Sequence, residues 1–112
     1  MTNERWLKWA IARHFRQKGF EVDMKHVKVG NGAVDGEVWN DSWKLGLEIK
    51  SGHDDIIRGL GQLAEAKAAG YDTVALVTSL RTAEHIDPTV FNNLGFVLLG
   101  VNSKGRVRQV YP

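Results

Sequence analysis

Residues 33–50 read AVDGEVWNDSWKLGLEIK, and the order of their residue types is the most informative feature of the sequence. Apolar residues alternate with polar residues or glycine on both sides of Asn40-Asp41-Ser42, a cluster of residue types that favour turns. The pattern therefore predicts a hairpin of two strands, Ala33–Trp39 and Trp43–Lys50. Because side chains alternate between the two faces of a strand, we expect the polar residues of both strands on one face of the sheet.

The sequence on either side of this hairpin predicts further helices and strands. Helical spacing of apolar residues indicates the helices, and short alternating or apolar runs bounded by turn residues indicate the strands. An almost continuous apolar run after the second helix is typical of a buried strand that pairs in parallel across a crossover. We expect one domain over residues 1–112, an α/β fold whose mixed β-sheet is flanked by helices in the order αβββαβαββ. The predicted elements are a helix over residues 3–18, capped by Thr2 or Asn3 and ended by Gly19; strands over 20–29, 33–39 and 43–50; a helix from a cap at Asp54 to Gly70; a strand over 73–78; a weaker helix over 83–94, broken near Pro88; and strands over 95–101 and 106–111.

Composition and charge exclude several classes of protein. The chain has 112 residues, of which 43% are hydrophobic, and it has no cysteine. Disulfide scaffolds, zinc–cysteine sites and thiol nucleophiles are thereby excluded, so a bound metal needs oxygen or imidazole ligands. No apolar run is long enough to span a membrane and no signal peptide is evident, so we expect a cytoplasmic protein without a membrane partner. The net charge of +2 permits a polyanionic partner without requiring one.

Acidic and basic side chains share the predicted polar face of the hairpin. Asp35 and Glu37 lie on the first strand, and Glu48 and Lys50 lie on the second. A charged group in a buried strand is costly unless a partner or a cation neutralises it. One interpretation is a hydrolytic site, in which Asp35 and Glu48 bind a hard cation such as Mg²⁺ and Lys50 orients the attacking water or neutralises the developing charge. The alternative is that Glu48 and Lys50 pair with each other on a solvated face.

The string from Gly32 to Ser51 resembles the motif region of the PD-(D/E)XK nuclease superfamily. The shared features are a leading helix, a three-stranded meander that carries Asp-x12-Glu-x-Lys, and a crossover helix, and they cover about residues 4–101. Val34 stands where the name of the motif has proline. Within the superfamily the chain looks most like the archaeal Holliday junction resolvases. The resemblance implies a restriction-endonuclease-like sheet flanked by helices.

The resemblance also implies roles for individual residues. Asp35 and Glu48 would bind the metal ion, Lys50 would serve catalysis, and Gln62 matches a glutamine that many relatives carry on the helix after the lysine strand. The first motif of the superfamily is a glutamate on the N-terminal helix, which assigns Glu4 as a further metal ligand; Glu4 stands three and seven residues before Leu7 and Ile11, a spacing that allows it to turn inward. Two plainer alternatives stay open: Glu4 as a first-turn glutamate favoured by the helix dipole, and Gln62 as part of a solvated stripe.

The function predicted from these features is a Mg²⁺-dependent DNA endonuclease that acts as a homodimer, with Mn²⁺ expected to substitute. A branched substrate such as a four-way junction is favoured. The alternatives are a non-catalytic nucleic-acid binding module with a nuclease fold, and a nuclease that acts on linear or damaged DNA. Basic residues that contact phosphates, or that simply keep the surface soluble, concentrate on and after the first helix and near the C-terminus. They are Arg5, Lys8, Arg13, Arg16, Lys18, Lys25, Lys28, Lys104, Arg106 and Arg108.

Four tryptophans and one histidine have more than one interpretation. Trp6 and Trp9 lie three apart on the first helix, so one of them is expected to extend beyond the core face toward a partner, most simply a second copy of the chain. Trp39 and Trp43 bracket the hairpin turn, where they pair across the strands, lie in a dimer interface or stack on an unpaired base. His53 follows the lysine strand closely enough to contact a phosphate, although a histidine at a helix entry is more often a neighbour of the cap.

Overall fold

A computed structural model describes residues 3–25, 27–29, 32–52 and 55–112. It has the mixed α/β composition that the sequence predicts. The helices and strands are, in chain order, α1 (Glu4–Gln17), β1 (Glu21–Asp23), β2 (Val27–Val29), β3 (Gly32–Val34), β4 (Gly36–Trp39), β5 (Lys44–Ile49), α2 (Ile56–Ala68), β6 (Thr73–Ser79), α3 (Leu80–Glu84), α4 (Pro88–Leu94), β7 (Val97–Val101) and β8 (Val107–Tyr111).

Six of the strands form one mixed sheet in the order β1-β4-β5-β6-β7-β8, and β2 pairs with β3 in a separate two-stranded sheet. β1, β4 and β5 are antiparallel neighbours, β5, β6 and β7 run parallel, and β8 returns antiparallel to β7. Parallel neighbours need crossover connections, which α2 and the pair of α3 and α4 supply. The predicted mixed sheet, antiparallel meander, parallel crossover strand and final hairpin are confirmed.

α1 covers one face of the sheet. The side chain of Asn3 accepts a hydrogen bond from the Trp6 N–H at 2.9 Å, and Gly19 adopts a φ of 89° just beyond the helix, so both predicted ends are confirmed. Thr2, the other predicted cap, lies outside the described residues. The buried side of α1 packs on apolar side chains of the four inner strands, β4 to β7, and together they form the first core. Its buried members are Leu7, Ala10, Ile11, Val38, Leu45, Leu47, Ile49, Ala75, Val77, Leu99 and Val101.

α2, α3 and α4 contribute to the second core, on the opposite face of the sheet. The predicted cap at Asp54 lies outside the described residues, and α2 begins at Ile56 without a capping hydrogen bond from the side chain of Asp55. Gly70 follows the helix with a φ of 117°, as the predicted C-terminus requires. The buried members of the second core are Val34, Ile56, Leu63, Ala66, Tyr71, Val74, Leu76, Ala83, Phe91, Phe96 and Leu98.

The weak helix predicted over residues 83–94 is two helices. α3 starts earlier than predicted because Ser79 accepts a hydrogen bond from the Thr82 N–H at 3.1 Å and caps it. The predicted break is confirmed, since α4 begins at Pro88 and is capped by Asp87, which accepts from the Thr89 N–H at 2.9 Å. None of the helices in the described ranges combines the length and apolar character needed to cross a bilayer.

The strands predicted over residues 20–29 and 33–39 are each divided in two. The second division lies at Asp35, between β3 and β4. Residues four apart in a regular strand share a face, yet Val34 belongs to the second core and Val38 to the first. The alternation of side chains is therefore broken at Asp35, which lies where β3 leaves the main sheet on the side covered by α2.

Candidate active site

Asp35 is held against β5 by two hydrogen bonds. Its backbone N–H donates to the Leu47 carbonyl at 2.9 Å, which continues the pairing of β4 with β5. The Ile49 N–H donates to the Asp35 carboxylate at 2.8 Å, so the side chain takes the place of a main-chain acceptor. The carboxylate is therefore fixed beside residues 47–49 of β5, although its own residue lies in the gap between two strands.

Glu48 is a fully buried carboxylate on the α2 face of β5. Neither of its carboxylate oxygens has a hydrogen-bond partner among the described residues. Burial, and after it the neighbouring Asp35 carboxylate, raises the pKa of Glu48 to about 8, whereas the charge of Lys50 opposes the rise. The structure thus brings Asp35 and Glu48 together, as the sequence predicts, and places Lys50 close enough to influence Glu48.

Lys50 extends along the same face, with its stem against α2. It is only 9% exposed. A Cβ added to Gly59 would lie 3.3 Å from both Cγ and Cε of Lys50, so a side chain at that position of the helix would crowd the lysine stem. The buried stem and the nearby carboxylate of Glu48 together restrict where the ammonium group can lie. The alternative of a solvated Glu48–Lys50 pair does not hold, because both side chains are buried.

Gln62 lies on α2, the helix that covers this face of the sheet. Its side-chain oxygen is buried and has no hydrogen-bond partner among the described residues. A buried amide oxygen without a donor costs on the order of 1–3 kcal/mol. Unlike a residue of a solvated stripe, Gln62 therefore carries a buried acceptor whose hydrogen bond is not supplied by the described residues.

The structure does not bring Glu4 to this site. Glu4 is exposed in the first turn of α1, and α1 packs on the face of the sheet opposite to Glu48. No group of three or more acidic or histidine side chains converges within the described ranges. His53 lies outside those ranges. Glu37 is engaged elsewhere, because it accepts a hydrogen bond from the Tyr71 hydroxyl and forms an ion pair with Lys44 at 3.4 Å.

Sequence reasoning did not identify Thr78, which lies on β6. Its hydroxyl is fully buried and has no hydrogen-bond partner among the described residues. Ile49 pairs with Val77, so Lys50 and Thr78 follow as neighbours on adjacent parallel strands. The only sequence signal is a threonine at the end of an otherwise apolar run, which is too common to be specific.

The tryptophans at the hairpin turn have separate surroundings. Trp43 packs edge-on against Phe20 with ring centres 5.5 Å apart, and its indole N–H donates to Thr73 at 3.1 Å. Trp39 is opposite Lys44 in the register of β4 with β5. Trp43 is therefore a structural residue, and the predicted direct pairing of the two indoles is wrong because the register offsets them.

The unpartnered oxygens define what this face can bind. Glu48 offers two buried carboxylate oxygens beside Asp35, and Gln62 offers a buried amide oxygen from the covering helix. Hard divalent cations bind oxygen ligands of these types, and their charge offsets the repulsion of two adjacent carboxylates. The residues therefore fit a Mg²⁺ or Mn²⁺ ion, for which Asp35 and Glu48 are the protein carboxylates.

Comparisons with known proteins bear on the fold. No family model and no curated protein matches the chain. The SPO1766 protein of unknown function from Silicibacter pomeroyi has a similar structure, with a TM-score of 0.72 and 17% sequence identity over 100% of this chain and 73% of that one. The protein of unknown function AF1548 has a TM-score of 0.64 and 14% identity over 89% of this chain and 58% of that one. This chain thus matches little more than half of AF1548, and at these identities the similarity shows a shared fold alone.

Proposed function

We propose that this protein is a metal-dependent DNA endonuclease with a restriction-endonuclease-like fold. The observation that carries the proposal is Glu48, a fully buried carboxylate that has no hydrogen-bond donor among the described residues and lies beside a second carboxylate, Asp35. Such a pair is costly to bury, and a divalent cation is the partner that most directly offsets the cost. The spacing of Asp35, Glu48 and Lys50 in the sequence agrees with this function.

Asp35 and Glu48 would hold Mg²⁺, with Mn²⁺ as a substitute. The ion, when bound, polarises the phosphate and lowers the pKa of a bound water. Asp35 is positioned for this role by the Ile49 N–H, which fixes the carboxylate at the edge of β5. Glu48 reaches the same place from the buried face of β5. The backbone of β5 therefore positions both carboxylates, which limits their movement relative to each other.

Lys50 and Gln62 complete the proposed site. Lys50 carries a positive charge beside the carboxylates, where it offsets negative charge that develops on the phosphate or orients the attacking water. Gln62 presents its amide oxygen from α2 and can accept a hydrogen bond from that water. Both roles use buried groups, so each electrostatic interaction is stronger than at a solvated surface.

The substrate preference in this proposal comes from the resemblance to junction resolvases. We expect branched DNA, such as a four-way junction, to be cleaved by a homodimer in preference to linear duplex. Cleavage of linear DNA alone would instead assign the protein to a nuclease of another role.

Cleavage of labelled DNA tests the proposal. Junction, flap, single-stranded and linear substrates are incubated with Mg²⁺, Mn²⁺ or EDTA. We expect cleavage with either ion and none with EDTA. Asp35→Asn, Glu48→Gln and Lys50→Met are expected to lower the rate by at least about 100-fold, because each removes a charge at the reacting centre.

A matched control separates chemistry from folding. Glu65→Gln changes the same functional group as Glu48→Gln on the exposed side of α2 and is expected to keep the full rate. Cleavage that persists in all three site variants would overturn the site. No cleavage of any substrate, together with DNA binding that is unaffected by Mn²⁺, would favour the non-catalytic binding module.

A further inference from the structure

The outer side of α1 carries an exposed aromatic ring that the proposed active site does not use. Trp9 is 52% exposed, although tryptophan is among the most buried side chains on average. The guanidinium of Arg13 lies 4.5 Å from the centre of the indole ring. The prediction that Trp6 or Trp9 extends beyond the core face is confirmed for Trp9. The guanidinium therefore lies over the indole in a cation–π contact, and half of the Trp9 surface remains exposed.

Two arginines give this surface a positive charge that no described carboxylate neutralises. Arg13 donates to the Gly105 carbonyl at 3.2 Å, and Arg16 donates to the Val22 carbonyl at 3.3 Å. Both bonds are to neutral backbone acceptors, and neither arginine forms an ion pair within the described part of the chain. The same side chains border a shallow cavity of about 450 Å³, together with Trp9. An anionic ligand would find unpaired guanidinium groups beside an aromatic ring.

The turn between β7 and β8 packs against this part of α1 and carries two further basic residues. Gly105 packs against α1: a Cβ there would lie 3.2 Å from the Arg13 guanidinium and 3.3 Å from the Trp9 ring. The Asn102 side chain accepts from the backbone N–H groups of Lys104 and Arg106, both at 2.9 Å, so the turn has a defined shape. Lys104 and Arg106 are exposed on either side of the buried glycine. Two exposed basic residues therefore flank, in sequence, the glycine that packs against Trp9 and Arg13.

The geometry points to a binding surface for single-stranded nucleic acid, formed by Trp9, Arg13 and Arg16 of α1 with Lys104 and Arg106 of the β7–β8 turn. An unpaired base stacks on the exposed face of Trp9, and the basic side chains contact the flanking phosphates. An indole beside guanidinium groups matches a base joined to phosphates, because one class of ligand satisfies both the ring and the charges. The surface is on the opposite side of the sheet from Glu48, so binding there does not depend on the proposed nuclease function.

Fluorescence anisotropy with labelled oligothymidine tests this surface. The full chain is titrated in EDTA, so that cleavage does not interfere, against a strand of about 20 nucleotides, which is longer than a typical site. Trp9→Ala is expected to weaken binding by about 10-fold or more, and Trp9→Phe is expected to restore most of it. Arg16→Gln is expected to weaken binding and to lower the slope of log affinity against log salt by about 0.7. The controls are Ile57→Ala, which removes an 83% exposed apolar side chain on α2, and Arg81→Gln, which removes an exposed charge on α3.

Base stacking, self-association and misfolding give different results in these variants. Binding that is unchanged in Trp9→Ala, or that is weakened equally by Ile57→Ala, would overturn the proposal. A loss of self-association in Trp9→Ala without a change in oligothymidine affinity would also overturn it and would assign the face to a contact between two copies of the chain. Equal melting temperatures of Trp9→Ala and Trp9→Phe show that a difference in affinity is not a folding defect. Because the titration is made in EDTA, its result does not depend on cleavage. The protein can bind oligothymidine at Trp9 without being a nuclease, and it can be a nuclease without binding oligothymidine at Trp9.

Discussion

Replacing Glu48 with glutamine should make the protein more stable at neutral pH when no divalent ion is present. The reason is that burial and the neighbouring Asp35 raise the pKa of Glu48 to about 8. The folded protein therefore keeps a proton on Glu48 at pH values where the unfolded chain, with a pKa of 4.5, has released it. Stability must then fall as pH rises between these two values, because the folded state binds more protons than the unfolded state.

The size of this effect follows from the two pKa values. The interval from 4.5 to about 8 corresponds to on the order of 5 kcal/mol at 1.36 kcal/mol per pH unit. Between pH 4.5 and pH 7 alone, the expected fall in the free energy of unfolding is about 3 kcal/mol. This is a large share of the roughly 5–15 kcal/mol typical of a domain. Glutamine is neutral at all of these pH values and avoids the fall.

The assay is urea unfolding of the wild type and Glu48→Gln at several pH values from 4.5 to 8.5, in EDTA. The difference in unfolding free energy between the two proteins isolates Glu48. His14 acts in the opposite direction, since burial and then Lys18 lower its pKa and so make stability rise with pH up to its ordinary value, but this contribution is common to both proteins and cancels. Glu65→Gln, an exposed position on α2, should show the pH dependence of the wild type.

A difference between wild type and Glu48→Gln that stays constant from pH 4.5 to pH 7 would refute this reasoning. It would mean that Glu48 ionises near its ordinary pKa in the folded protein. The carboxylate would then be solvated or paired with a donor, and the electrostatic case for a cation beside Asp35 would be lost.

Three further predictions test the site and its supports. In thermal unfolding at pH 7, Mn²⁺ at 100 times its dissociation constant should stabilise the wild type by about 2.7 kcal/mol and should not stabilise Asp35→Asn. An equal gain in both proteins would place the ion elsewhere. In urea unfolding, Gly59→Ala should be less stable than Gly61→Ala by about 1–3 kcal/mol. The reason is that a Cβ at Gly59 would lie 2.7 Å from a methyl group of the buried Leu76, whereas a Cβ at Gly61 meets nothing within 4 Å. Equal stabilities would show that the helix can move away from the sheet. Gly105→Ala should lose about 1–2 kcal/mol in the same assay, because its φ of 81° lies in the left-handed region, which is unfavourable for alanine. An unchanged stability would mean that the turn relaxes freely.

The main sheet was predictable because its strands follow simple periodicities. Alternation in β4 and β5 gave the hairpin, and the apolar run of β6 gave the parallel crossover strand. The division at Asp35 was not predictable, because Val34, Gly36 and Val38 continue the same alternation in the sequence. Only the packing shows that Val34 and Val38 lie in different cores. A local pattern reports which residues share a face of a strand, but not where the chain leaves the sheet.

The candidate site was predictable to a similar extent. Asp35, Glu48 and Lys50 were identified from their types and spacing, and the structure brings them near one another. Glu4 was assigned by the resemblance and by its helical spacing with apolar residues. Spacing identifies the inward side of a helix, but it does not tell which face of the sheet the helix covers. Because α1 covers the face opposite to Glu48, the role of Glu4 stays a prediction that the structure does not support.

The hydrogen bond from the Ile49 amide to Asp35 provides a reporter that requires no substrate. An amide proton that donates to an ionised carboxylate resonates differently from one that donates to a neutralised group. The Ile49 cross-peak in a nitrogen-15 correlation spectrum should therefore move when an ion reaches Asp35, while amides of the distant edge strand β8 stay in place. A single resonance could rank candidate cations in solution before any nucleic acid is added.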